Sequence, residues 1–363
     1  MSTIKSHPAS WESPAAQASV DPVELKRFPA VKVWALVGLF FVLLEAYVYI
    51  RWFSGPDFHH PSTGSDPVPT VVKFWAWLVQ IATIFAIGGA IWWVVRQVRR
   101  ERRLTFDAIL LIAWSSVMWQ DPVLNYIRPT FFYNSYLVSF GSWVAGIPGW
   151  ISPNGGNLPS PLFMSGIGYL SCLFFSIGIT AAMRAAKRRV PSIGMPGLLL
   201  VAFVTAIFMD LAYEVFMCRT SLYAYNGTIH SLSLWGGKRY QFPLYESLFW
   251  GFVWAASGAL RYFRDDKGRS IVERGAESLS VSRRTQTAYR TFAVIGFLNT
   301  MYLIFNVCIN FAALQIDQTP TGYPTYLRND MCGVGTDYAC PGPKVPIPMS
   351  PGAVNQPDPA STG

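Results

Sequence analysis

Seven apolar stretches run along this chain, each close to the roughly 20 residues a helix needs to cross the hydrocarbon core of a bilayer. They lie at about 31–53, 71–95, 104–121, 161–183, 194–218, 242–263 and 288–314. The pattern predicts an all-α, polytopic membrane helical bundle of about seven transmembrane helices. Composition agrees: 13% of the residues are charged, against about 25% in a soluble domain. An eighth stretch, 131–151 (FFYNSYLVSFGSWVAGIPGWI), is apolar but interrupted by Gly, Ser and Pro. It reads as a re-entrant or an interfacial segment.

The basic residues set the orientation. With the N-terminus inside, 21 Lys and Arg fall on the inner side, in segments before 33 and at 96–103, 184–189 and 261–290. Eight fall on the outer side: Arg51, Lys73, Arg128, Arg219, Lys238, Arg239, Arg328 and Lys344. The positive-inside rule then places the N-terminus in and the C-terminus out. An eighth full span would put the 184–189 cluster outside. Because the positive charge sits beside apolar spans, the net charge of +9 is an orientation signal and no nucleic-acid partner is expected.

These signals divide the chain into three parts. Residues 1–30 are polar and Pro-containing, lack the apolar core of a signal peptide, and form a disordered cytoplasmic tail. Residues 31–314 form the membrane domain, with an outer loop or re-entrant segment at 122–160. Residues 315–363 form an extracytoplasmic Pro/Gly-rich tail, mobile beyond Pro341. Cys332 and Cys340 fall in that tail, on the oxidising side, and are expected to pair as a disulfide that orders the tail more than it affects activity. The expected location is a bacterial plasma membrane, with lipids as neighbours.

Four carboxylates, Glu45, Asp210, Glu214 and Glu246, lie inside the apolar stretches. A carboxylate at mid-helix costs on the order of 2.5–3.5 kcal/mol to insert, so such residues face a protein interior or a wet cavity and mark function. At about 1.5 Å rise per residue, all four fall in the outer half of the membrane, as do Gln120, Asp121 and Asn306. Asp210 and Glu214 are spaced i, i+4 and share a helix face. Two acids this close in low dielectric do not both ionise, which leaves a protonated acid beside a carboxylate, a pair suited to general acid/base work. Ion pairing to Arg219 or Arg239, or a bond to a buried Tyr, is the structural alternative. For Glu246 that alternative is a favourable helix-dipole position. For Glu45 it is a hydrogen bond between helices.

The expected catalytic set is Asp210, Glu214, Glu246 and Asp121, with donor and base unassigned between them. The expected substrate-binding set is Glu45, Gln120, Asn125, Tyr126, Tyr133, Asn134, Trp143, Tyr213, Tyr240, Gln241, Tyr245 and Asn306. The GSW and IPGW segments at 141–150 suggest an aromatic lid. No histidine pair at ligand spacing, acidic run, phosphate-binding loop, dinucleotide fingerprint or nucleophile elbow occurs. Neither a metal nor a cofactor is therefore expected.

QDPVLNY at 120–126, FFYNS and GSW…IPGW within 131–150, MDLAYE at 209–214 and YQFPLYE at 240–246 together resemble the AveC-like spirocyclase family, over roughly residues 31–314. The resemblance implies a membrane-bound enzyme that closes a dihydroxyketone to a spiroketal, with dehydration in some cases, in secondary metabolism. It carries no catalytic residue set. An apolar polyketide or lipid is the substrate class it suggests. Two other classes fit the residues: a cofactor-free terpenoid- or sterol-type cyclase or isomerase, and a lipid or small-molecule binding or transport protein. The acids gather toward one face and no internal repeat is evident, which favours an enzyme or a binder over alternating access.

Overall fold

The computed structural model describes residues 29–343 and 345–347. The expected N-terminal tail lies outside the described residues except for its last two positions, as does the far end of the C-terminal tail. The chain is mostly helical. Its long helices are α1 (Ala30–Phe53), α2 (Thr70–Glu101), α4 (Cys172–Arg189), α5 (Met195–Arg219), α6 (Leu244–Tyr262) and α7 (Arg283–Ala313), with a shorter α3 (Phe106–Ser115) between α2 and α4. Five stretches are long and apolar enough to cross a membrane: α1, α2, Leu162–Arg189, α5 and α7.

The third and sixth expected spans are absent from that set. The stretch 104–121 yields only the ten-residue α3, whose N-cap Thr105 accepts from the Ala108 N–H. The chain then tightens into a 3-10 helix, Met118–Asn125, around Pro122, whose ring nitrogen has no N–H for a continuing α-helix. Nearly every side chain of α3 is buried, so its apolarity serves a protein interior rather than lipid. Helix α6 is 19 residues long and buries much of its surface too, including Glu246 and Arg261.

Helix α7 is the central post. Its most apolar window is 61% buried, against 22% for those of α1, α2 and α5, which turn most of their apolar surface outward. Helix α1 crosses α7 where Gly38 meets Gly296. A Cβ on Gly38 would lie 1.9 Å from the Phe292 carbonyl oxygen, and one on Gly296 would lie 2.3 Å from that of Trp34. Small residues permit this backbone approach, which is how helices pack where apolar burial gives little driving force.

The two ends of the bundle differ. At one, the arginine-rich end of α2 meets the α6–α7 connection, and Arg261 on α6 clasps Asp107 on α3 at 2.9 and 3.1 Å. The other end is roofed. The segment 131–151 contains no α-helix and is no eighth helical span. Its first residues form β1 (Phe131–Tyr133), antiparallel to β2 (Tyr223–Tyr225), with Phe131 opposite Tyr225 and Tyr133 opposite Tyr223. Strand side chains alternate between faces. Phe131, Tyr133, Tyr223 and Tyr225 therefore point into the helical core, while Phe132 and Ala224 pack on the other side, against Met331–Cys332 and Tyr323–Tyr326 respectively. A second pair, β3 (Ser233–Leu234) and β4 (Phe242–Pro243), leads into α6.

The C-terminal part, expected as a separate tail, is built into this roof as far as it is described. A short helix α8 (Thr325–Arg328) precedes Asn329, whose side-chain amide donates to the Tyr133 carbonyl at 2.9 Å. The Tyr323 hydroxyl donates to the Tyr225 carbonyl at 3.1 Å. Cys332 and Cys340 are joined by a disulfide, with Met331 and Cys332 wholly buried. The apolar side chains in this segment explain the difference: Tyr323, Tyr326, Leu327 and Met331 need a surface to bury against, and the ribbon supplies it.

Candidate active site

A cavity of about 430 Å³ lies beneath the ribbon, within the range of small-molecule sites. Its walls come from almost every element: Asp121 from the 3-10 helix, Tyr133 from β1, Tyr213 and Glu214 from α5, Tyr223 and Tyr225 from β2, Glu246 and Trp250 from α6, and Tyr302 from α7. The α2 wall consists of Val79, Ala82, Thr83 and Ala86, short side chains all. Phe174 and Phe216 line the cavity yet are 40% and 36% exposed on the bundle's flank. The cavity thus reaches the lipid-facing side between α2, α4 and α5.

Two acidic poles occupy it. At the first, Asp121 Oδ1 accepts from the Tyr133 hydroxyl at 3.0 Å and from the Tyr169 hydroxyl at 2.7 Å, and Tyr169 in turn meets the Tyr302 hydroxyl. At the second, Asp210, Glu214 and Glu246 bring carboxylate oxygens within 4.8 Å of one another. Asp210 is wholly buried just behind the cavity wall. Glu214 Oε2 accepts from the Tyr225 hydroxyl at 2.8 Å. Both Asp210 oxygens and Glu246 Oε2 accept no well-aligned hydrogen bond from an N–H or alcohol donor among the described residues; Asp210 and Glu246 face each other instead, close enough for a protonated carboxyl of one to bond the other. Arg219 is held elsewhere, 4.1 Å from the ring centroids of both Trp235 and Tyr240, and Arg239 reaches the Gly322 carbonyl.

Local sequence explains this assembly. Asp210 and Glu214 are one turn apart on α5. Glu246 enters from the first turn of α6, next to which α5 packs closely because Gly251 leaves room for Ile207. Three clustered carboxyls with no ion-pair partner among the described residues must share protons, since like charges a few ångströms apart cannot all ionise. The roof phenols stay protonated: burial raises the pKa values of Tyr133, Tyr223 and Tyr225 well above the ordinary value, and Asp121 (for Tyr133) and Glu214 (for the other two) reinforce the shift. They are donors, not bases. The three oxygens also have the hardness and spacing to hold a divalent cation. This cluster forms from two helices in space, where the search for an acidic run along the chain finds nothing.

Of the residues expected to act chemically, Asp121, Glu214 and Glu246 line the cavity and Asp210 joins them from behind. Of the expected binding residues, Tyr133 and Tyr213 line it. The others build the frame. Gln120 donates to the Asn299 side chain at 2.9 Å, and Asn306 donates to the Gln120 carbonyl at 3.2 Å, tying the 3-10 helix to α7. Asn125 accepts from the Thr130 and Phe131 N–H groups, both at 2.8 Å, and donates to the Phe131 carbonyl, which shapes the turn into β1. Asn134 donates to the Ser221 carbonyl and Gln241 to the Tyr225 carbonyl, both beside the ribbon.

Tyr126 donates to the Pro148 carbonyl, and Trp143 donates to the Trp119 carbonyl while packing on Tyr49 and Trp52. The expected aromatic lid at 141–150 is therefore a buttress against α1, and the ribbon is the true roof. Tyr240 stacks on Arg219, Tyr245 lines a separate small void, and Glu45 sits half-buried on α1, away from the cavity lining. The tyrosines and tryptophans of the lining that sequence reasoning missed are Tyr169, Tyr223, Tyr225, Tyr302, Trp250 and Trp254. The Tyr-Ala-Tyr alternation at 223–225 was the one local signal for any of them.

Residues 101–329, more than half of the chain, match the family described as Spirocyclase AveC-like. Comparison with curated proteins and with solved structures returns no match.

Proposed function

Because the chain belongs to the spirocyclase AveC-like family, we propose that it is a membrane enzyme that closes a lipophilic dihydroxyketone to a spiroketal by acid–base catalysis. The observation that carries this reading is the Asp210–Glu214–Glu246 cluster, with no ion-pair partner among the described residues, at the wall of an aromatic cavity. One substrate hydroxyl adds to the ketone carbon and gives a hemiketal. A protonated carboxyl of the cluster donates to the hemiketal hydroxyl, whose C–O bond breaks and releases water. The resulting oxocarbenium ion lies among carboxylates and the ring faces of Trp250, Trp254 and the tyrosines, which stabilise positive charge. The second substrate hydroxyl attacks, and a carboxylate of the cluster takes its proton. The cluster ends as it began, and no electrons are exchanged, so the reaction itself asks for no redox cofactor. Asp121, held by Tyr133 and Tyr169, fixes the far end of the substrate or the carbonyl.

In this reading the substrate enters sideways from the bilayer between α2, α4 and α5. The protein crosses a bacterial plasma membrane seven times, α3 with its 3-10 extension and α6 completing the count, with the N-terminus inside and the roof outside. Untargeted profiling of lipid extracts from a deletion strain tests the reaction class. A compound heavier by one water than a wild-type spiroketal is expected to accumulate. An unchanged profile under conditions where the wild-type protein is expressed would contradict it.

A further inference from the structure

A second cavity, of about 530 Å³, opens at the basic end of the bundle, opposite the roof. It lies between the last turns of α2, the start of α3 and the chain that follows α6. Arg96, Arg100, Arg103, Arg261, Arg264, Lys267 and Arg290 line it, with Glu101 and Asp107 the only acids in its wall among the described residues. Four of the seven cations have acidic partners: Arg103 pairs with Glu101, Arg261 with Asp107, Lys267 with Glu277 and Arg290 with Glu273. Arg96, Arg100 and Arg264 have none among the described residues. Arg96 and Arg100 are one turn apart on one face of α2. Arg264 faces them from the other side of the pocket, its guanidinium 5.5 Å from the Phe106 ring. Partial burial, and Arg261 after it, depress the Arg264 pKa, against a smaller opposing pull from Asp107 and Glu273, neither of which forms an ion pair with it.

The surroundings indicate the source of the missing anion. The α2 surface that leads from the pocket into the membrane zone is apolar, with Trp92 and Val95 exposed and Arg96 lying over the Trp92 ring at 5.3 Å. An acyl chain can lie along that surface while its headgroup occupies the pocket. Three guanidiniums around one concavity suit the oxygens of a phosphate group. Basic pockets between membrane helices on the inner side recognise anionic headgroups in this way.

We propose that this pocket binds the phosphate of an anionic phospholipid, held by Arg96, Arg100 and Arg264. The site is independent of the chemistry beneath the roof.

The test uses the full-length protein in phosphatidylcholine nanodiscs with a rising fraction of phosphatidylglycerol, read by thermal unfolding. The wild-type melting temperature should climb and saturate. The combined Arg96→Gln, Arg100→Gln, Arg264→Gln variant should melt like wild type in pure phosphatidylcholine, yet need at least about tenfold more phosphatidylglycerol for the same rise. A control with Arg188→Gln and Arg189→Gln, exposed at the end of α4, should respond like wild type. An equal response by the triple variant overturns the site, and an equally blunted control reduces it to general surface charge. Inorganic phosphate that alone stabilises the wild type in pure phosphatidylcholine as well as the lipid does would overturn the lipid source.

Discussion

At the scale of residues, the division is between side chains that meet the cavity and side chains that hold its frame. Asn125 belongs to the frame, since it accepts from two backbone N–H groups at the turn into β1. Asn125→Ala leaves these buried donors unpaired, at a cost of about 1–3 kcal/mol each. Thermal unfolding should therefore show a clearly lower melting temperature, with turnover per folded molecule largely kept. Lost turnover at unchanged stability would return Asn125 to the substrate site. That Asp210 and Glu214 share one helix face at a buried site was legible in the sequence because i, i+4 spacing is local and their apolar setting is conspicuous. That Glu246 would join them rested only on depth along a helix. The polar side chains Gln120, Asn125, Asn134 and Asn306, expected among the binding residues, bond the frame in the structure; a buried amide satisfies irregular backbone as readily as it binds a ligand, and the sequence cannot distinguish the two.

At the scale of elements, the ribbon and what covers it are the unexpected part. Pairing β1 with β2 joins residues some ninety positions apart, and each strand is too short for periodicity to announce it. The tyrosines that wall the site therefore stayed hidden, whereas long apolar helices were easy to recognise. Hydropathy also could not separate a helix buried in protein from one facing lipid, so the apolar run at 104–121 gave no sign that its α-helix would be short and enclosed by other helices. The Cys332–Cys340 bond sits on top of the ribbon, where Asn226, just after β2, donates to Cys332 Sγ. Closing so short a loop is worth about 2–3 kcal/mol in the chain-entropy model, and here that constraint is applied to the roof. Cys332→Ser should speed amide hydrogen exchange at 131–133 and 223–225 and lower turnover. Exchange that stays at the wild-type rate would show the bond to be irrelevant to the site.

At the scale of the molecule, the bundle has a basic end and a roofed end, and the account needs them on opposite sides of a membrane. Reporter fusions after Gly268 and after Gly342 should report cytoplasm and exterior respectively; a cytoplasmic signal from the second would reverse the placement of the roof. The central claim is that the clustered carboxyls move the protons of ring closure. The most direct measurement supplies the precursor accumulated by a deletion strain to purified protein in nanodiscs and follows spiroketal formation. Asp210→Asn, Glu214→Gln and Glu246→Gln are close to isosteric and remove the acid without emptying the space. The account predicts normal insertion and melting, with turnover reduced by about 100-fold or more for at least two of the three. Wild-type turnover in all three properly inserted variants would contradict it.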